Sequence, residues 1–318
     1  MSTATSVPET YELEGDDALR TLRSTGTMQL VKDAFVRFRS ADGFSHTRSL
    51  AFAITLAMVP FLIAFVGFTV KLDQQQFTKA IVKGIEDIAP GPASQIFTQA
   101  FKQGAKASKS GGGTAALLFG VVATAVAATT AMGQVERGAN RIYGIERDRP
   151  TVDKYRNGFI LAISAGALIV IAFVILVNGS TLAAAFGLGD VTRTIFAVLR
   201  WPLGILLSVA AFALLFQRSP KRHQPDVTWL AFGSGAAVLL WLVFTGLLAI
   251  YLTASTSFGV TYGPLAGTIG VLLWAFLTSL ALYLGLAFAA QLEAVRAGSP
   301  APSTGEERNP RGRSGGRR

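Results

Sequence analysis

The chain predicts an all-α membrane protein of six transmembrane helices, with a short amphipathic helical subdomain in the first outer loop. Three observations predict it. Hydrophobic residues make up 51% of the 318 and charged residues only 15%, the depletion expected when lipid is the solvent for most of a chain. Six apolar stretches, roughly 49–70, 114–133, 159–177, 195–216, 229–252 and 264–290, reach the length of about 20 residues that a bilayer core demands of a helix. The 29 Lys and Arg fall unevenly between the two sides: 21 lie on the side that carries both termini and eight on the other, which orients the chain with its termini in the cytosol.

In chain order, the first 26 residues are polar and acidic (Glu9, Glu12, Glu14, Asp16, Asp17). They lack the basic start and apolar core of a cleavable signal and are expected to be a disordered cytosolic segment. Over 27–47, Met28, Val31, Phe35 and Phe38 share a helical face with Lys32, Arg37 and Arg39 interleaved, the pattern of an interfacial helix. Arg37, Arg39 and Arg48 are the expected headgroup contacts. The membrane domain proper spans 48–296. Its first outer loop holds six lysines, but it is about 43 residues long and long loops count less in the charge rule. Within it Phe77, Ile81, Ile85 and Ile88, and then Ile96, Phe97, Ala100 and Phe101, have helical periodicity around Pro90 and Pro92. Two short amphipathic helices there would lie on the outer surface or cap the bundle. The arginine-rich tail, 297–318, reads as disordered.

The net charge of +10 points to the anionic membrane surface as partner rather than to a specific nucleic acid. A homo-oligomer is left open, and no cofactor is implied. Without cysteine there is no disulfide, thiolate metal site or cysteine nucleophile. No cation or carboxylate falls at the midpoint of an expected span, where coupled pumps usually keep one. His46 and His223 sit in no metal-ligand spacing, and no phosphate loop, dinucleotide fingerprint or nucleophile elbow is present.

Residues 128–150, "ATTAMGQVERGANRIYGIERDRP", carry the strongest polar signal. Read as one helix that continues to Arg149, where Pro150 disfavours helical geometry, Thr129, Gly133, Glu136, Asn140, Tyr143 and Arg147 line one face. Arg137 and Arg141 fall on another face, toward headgroups. Glu136 needs a donor from a neighbour this close to hydrocarbon, and Asn140 is suited to bridging helices. A latch between the second span and a neighbour and a substrate contact at the inner mouth both fit. Small residues recur at Gly233, Gly235, Ala236 and Ala237, and at the pair Gly263 and Gly267, where helices can approach closely. Tyr262, Gly263 and Pro264 fit either plain packing or a broken, cavity-lining helix start.

These residues resemble a known family. Glu136, Asn140, Ile142 and Tyr143 followed by Arg149 and Pro150 are similar to the second-span motif of the YihY/BrkB family of bacterial inner-membrane proteins. "HTRSLAFAITLAMVP" from His46 to Pro60 resembles its first span, with Phe52 where a tyrosine is common. "PDVTWLAFGSGA" (Pro225, Trp229, Gly235, Ala236) resembles the lead into span five, and "YGPLAGTIGVLLWAFLTSLALYLG" (Tyr262, Gly263, Leu265, Ile269, Trp274, Gly285) resembles the last span. The resemblance covers about residues 28–296 and implies a multi-pass inner-membrane protein. One departure stands out: the membrane-embedded Glu that members often carry after Gly-Ala in the last span is replaced, the chain reading Gly285, Leu286, Ala287, and Glu293 lies about two turns nearer the cytosol. The family's occasional ribonuclease label finds no clustered carboxylates or histidines here to hold a metal. The expectation is therefore a non-enzyme, either a transporter or flippase-like protein for a hydrophobic or amphipathic, lipid-like substrate, or a membrane scaffold.

Overall fold

The computed structural model describes residues 3–71, 99, 113–185, 190–254 and 265–304. Two short helices, α1 (Gly15–Thr25) and α2 (Thr27–Ser40), precede six long ones: α3 (Gly43–Lys71), α4 (Gly113–Ile142), α5 (Thr151–Ala185), α6 (Asp190–Arg218), α7 (Val227–Ala254) and α8 (Ala266–Arg296). Each of the six contains a stretch long and apolar enough to cross a membrane, in the order the hydrophobic stretches foretold. The expected outer amphipathic helices, Tyr262, Gly263 and the tail beyond 304 lie outside the described residues.

Consecutive spans pack on one another and α8 closes onto α3, while α2 lies along α8 and α1 along α7. Buried side chains gather at the end of the bundle that carries both termini, called basal below. Leu50, Val135, Ala139, Leu161, Phe216, Leu230 and Leu282 to Leu292 belong to that core. A smaller distal cluster joins Leu248, Leu252 and Ala266 of α7 and α8. Elsewhere the spans present large apolar side chains outward, as at Phe52, Leu56, Val59 and Ile63 of α3, a row at helical spacing suited to lipid.

The small residues of the sequence decide the closest crossing. A methyl added at Gly233 would come within 2.5 Å of Ala289 Cβ, and one at Gly285 would overlap Ala237 Cβ and lie 2.7 Å from the Gly233 carbonyl oxygen. Reciprocal small residues four apart on α7 and α8 thus bring the two backbones together, where packing rather than water release drives association. Gly138 does a different job: it leaves room for the Tyr283 ring, whose hydroxyl donates to the Gln134 carbonyl over 2.9 Å.

Two expectations are corrected at the basal end. The acidic N-terminus is ordered through residues 3–25: Thr3 N–H donates to Ser40, Val7 N–H to Tyr143 and Asp226 N–H to Leu13, and α1 follows with Ala18 and Thr21 buried. The first eight residues of the tail are held too, Ala4 and Ser303 forming an antiparallel bridge and Pro302 accepting from Thr5 N–H. Composition reads these segments as solvated because their apolar residues are few. Their order comes instead from backbone hydrogen bonds to helix ends that would otherwise lack partners.

Replacing Gly285 with Val should cost about 1–3 kcal/mol through overpacking and lower the thermal midpoint in detergent. Gly235→Ala, where nothing lies within 4 Å of the added methyl, should leave the midpoint unchanged or raise it. Equal midpoints for the two variants would show that the α7–α8 crossing is not close-packed.

Candidate functional site at the basal closure

Helix α4 stops earlier than its polar stripe suggests. Its end is a Schellman motif: Gly144 has φ 74°, its N–H donates to the Arg141 carbonyl, and Ile145 N–H donates to the Asn140 carbonyl over 2.8 Å. Glycine tolerates the left-handed conformation this requires, and a Cβ there would also lie 2.6 Å from Ser6 Cα. The expected continuation to Arg149 is therefore wrong. Arg147 leaves the stripe and is exposed in the loop. The glycine after Tyr143 was the sequence signal for this stop.

Because the chain turns back at Gly144, the stripe residues meet their own loop. Glu136, nearly fully buried, accepts from Arg149 Nη1 at 2.9 Å and from Arg149 N–H at 3.2 Å. Arg149 then reaches the carbonyls of Ser219 and Pro220, both at 2.7 Å. Asn140 donates to Asp148 Oδ1 at 3.0 Å and accepts from Lys221 N–H at 2.7 Å. Both residues tie the α4–α5 loop to the α6–α7 loop, and their hydrogen-bonding capacity is largely spent there. Asp148 also pairs with Lys154 at 2.9 Å. Burial opposes its ionisation, but the bonds from Asn140 and Lys154 and the charges of Lys154 and Arg141 prevail and hold it at about 2.

The expected headgroup contacts divide. Arg39 and Arg48 are exposed. Arg137 lies 3.5 Å from Asp148, and Arg141 donates to the Ile145 and Glu146 carbonyls, so both serve the loop. Arg37 is fully buried, a correction that follows from helix phase: it lies half a turn away from Lys32 and Arg39.

Arg37 opens onto a second layer that sequence reasoning missed. Its Nε donates to Gln291 Oε1 at 2.8 Å, and its Nη1 to the carbonyls of Thr5 and Ile142 at 2.8 and 3.3 Å. The Ile142 carbonyl closes α4, where a cation suits the helix dipole. Burial lowers the Arg37 guanidinium to about 10, which leaves it charged at neutral pH. Two residues further along α8, Glu293 Oε1 accepts from Arg222 Nη2 and from the Thr10 hydroxyl, both at 2.6 Å. This ion pair is withdrawn from solvent, its side chains 3% and 0% exposed. The Arg222 guanidinium stacks 4.7 Å over the Tyr143 ring and donates to the Val7 and Pro8 carbonyls. Burial, and next the Glu293 charge, push the Tyr143 phenol up, so it stays protonated.

Arg222 thus pairs with the carboxylate directly, while Arg37 feels its charge without touching it. Arg37 Nη2 and Glu293 Oε2 make no hydrogen bond within the protein, and the Tyr143 hydroxyl lies beside the buried Gln224 amide. His46 packs edge-on to Tyr283 and His223 stacks on Tyr11. Among the described residues no three His, Asp or Glu gather as metal ligands.

A profile of the family described as virulence factor BrkB matches residues 34–310. The chain is similar to the ribonuclease-like protein YfkH of Bacillus subtilis, 26% identical over 81% of this chain and 93% of that one. It is also similar to UPF0761 membrane proteins of Ralstonia nicotianae, 30% identical over 79% of this chain and 55% of the relative, and of Rhodospirillum centenum, 26% over 85% and 58%. The chain spans nearly all of the Bacillus protein but little more than half the length of the other two. No solved structure matches it.

Asn140→Ala should cost about 1–2 kcal/mol, because it leaves the Lys221 N–H without its acceptor and removes one of the bonds to Asp148; an unchanged thermal midpoint in detergent would refute the bridge. The Asp148 contribution has a sign fixed by its depressed pKa. It is complete above the ordinary carboxylate value of about 4 and is lost as pH falls toward about 2. The acid limb of stability in that window should therefore flatten in Asp148→Asn.

Proposed function

The chain belongs to the virulence factor BrkB family of multi-pass membrane proteins, and from that premise we propose that it passes a hydrophobic or amphipathic, lipid-like substrate across the bilayer, with the basal polar layer as its gate. The reading sets it in the bacterial inner membrane with both termini cytosolic, supported by the 21 of 29 Lys and Arg on the basal side.

One observation carries it: the buried Arg222–Glu293 pair joins the N-terminal segment, the α6–α7 loop and α8 at the basal end. A buried ion pair adds little net stability over apolar side chains of the same volume, yet removing one partner is costly. That is a poor way to build a permanent core. It suits a closure that must open, because water can replace hydrogen bonds at a net cost of about 1 kcal/mol each, which keeps closed and open states within reach of one another. Metal-dependent hydrolysis would need a ligand cluster, and none gathers among the described residues.

The loop layer favours the runner-up in one respect. Glu136 and Asn140 are saturated by loop partners, which suits a scaffold without a substrate of its own. Under that reading Glu136→Gln and Asn140→Ala lower folded yield and nothing else.

Proteoliposomes with fluorescent headgroup- and chain-labelled lipids separate the two. The expected result is protein-dependent movement between leaflets, faster in Glu293→Gln, which weakens the ion pair without changing its volume. No protein-dependent movement across a broad lipid panel, with wild type and Glu293→Gln both folded, would overturn the transport reading and leave the scaffold.

A further inference from the structure

Helix α2 has two faces of opposite character. Leu30, Ala34, Arg37 and Phe38 are buried, most deeply against α8. Turned the other way are Met28, Val31 and Phe35, 70%, 49% and 44% exposed, with Lys32 and Arg39, both exposed, on the same face. Met28, Lys32, Phe35 and Arg39 follow the spacing of one helical row. Among the described residues neither basic side chain forms an ion pair, and nothing covers the apolar ones.

The row does not end with α2. Two residues, Ala41 and Asp42, separate it from α3, and the Phe38 ring meets Phe44 edge-on at 5.0 Å. Phe44 is exposed, and the outward apolar row of α3 continues at Phe52, Leu56, Val59 and Ile63. Phe35 on the uncovered face stacks 6.4 Å from Phe38, so the rings of Phe35, Phe38 and Phe44 lead from that face to the outward apolar row of α3. A protein partner for an apolar row broken by two cations would need matching acidic side chains at their spacing. An anionic leaflet needs no register: the apolar side chains enter the acyl boundary, and the long basic ones extend to the phosphates.

We propose that the outer face of α2 docks anionic-headgroup lipid, with Met28, Val31 and Phe35 in the acyl boundary and Lys32 and Arg39 on the phosphates. Arg37 is excluded from this role by its burial. The docking has a structural consequence, since the same helix delivers Arg37 into the basal closure, so the seating of α2 in the leaflet fixes one of the closure's two cations. It holds whether or not the chain moves a substrate.

The chain has no cysteine, so Val31→Cys in the full-length protein gives one labelling site for an environment-sensitive nitrobenzoxadiazole probe. In mixed micelles, phosphatidylglycerol should shift the probe's emission to the blue at a lower mole fraction than phosphatidylcholine, and in bilayers lipid spin-labelled near the headgroup should quench it. Each basic residue near an anionic surface is worth about fivefold in affinity, converted from about 1 kcal/mol. Adding Lys32→Gln and Arg39→Gln should therefore raise the phosphatidylglycerol needed for half the shift several-fold, with about thirtyfold as the ceiling. Lys32→Arg with Arg39→Lys should restore the wild-type response. An unquenched probe in bilayers would overturn the docking. Equal responses to the two lipids, or no effect of the double Gln substitution in a protein whose elution and tryptophan fluorescence are unchanged, would overturn anionic recognition.

Discussion

Glu293 brings one negative charge into a layer where two guanidiniums, Arg37 and Arg222, are also withdrawn from water, and the basal half of the molecule is arranged around that fact. Arg222 takes the charge directly. Arg37 relies on the Gln291 oxygen, on the Thr5 carbonyl and on the C-terminal carbonyl of α4. Buried charge is tolerable only when partners surround it, and the partners come from five places in the chain. The N-terminal segment, α2, the end of α4, the α6–α7 loop and α8 must therefore all be seated at once.

Seating them requires two geometric permissions. The first is the stop at Gly144, which turns the chain back so that Asp148 and Arg149 meet the helix they have just left. Without it Glu136 would face the membrane boundary with no donor of its own. The second is the small-residue crossing of α7 on α8. Gly233 and Gly285 let two backbones approach, which brings the α6–α7 loop, and Arg222 with it, to the level of Glu293. Packing in the membrane and charge pairing at its edge are thus coupled through one helix.

The proposed gate rests on the two polar layers. The outer layer, Glu136 with Arg149 and Asn140 with Asp148, is close to saturation and ties loops to spans. The inner layer leaves Arg37 Nη2 and Glu293 Oε2 without a hydrogen bond inside the protein.

Much of the fold was legible in the sequence. Six spans, their order and the side that carries the charge follow from local composition, because a helix in lipid must satisfy its backbone within its own segment and announces itself by length alone. The polar stripe was also legible as far as Asn140, and Gly144 marked its end for a reader weighing the glycine over the periodicity. Arg37 shows where local reading fails. Its neighbours Lys32 and Arg39 have the same chemistry, and only helix phase against α8 sends one inward and two outward. Glu293, Arg222 and Gln291 carry no motif at all, and their bonds span 71 residues between Arg222 and Glu293 and 254 between Arg37 and Gln291. Sequence by itself determined that this is a six-span membrane protein with a basic side, since those are properties of segments. Only tertiary structure decided which charges are buried and which acidic residue holds them, because the free energy of a buried charge depends on partners that no segment contains.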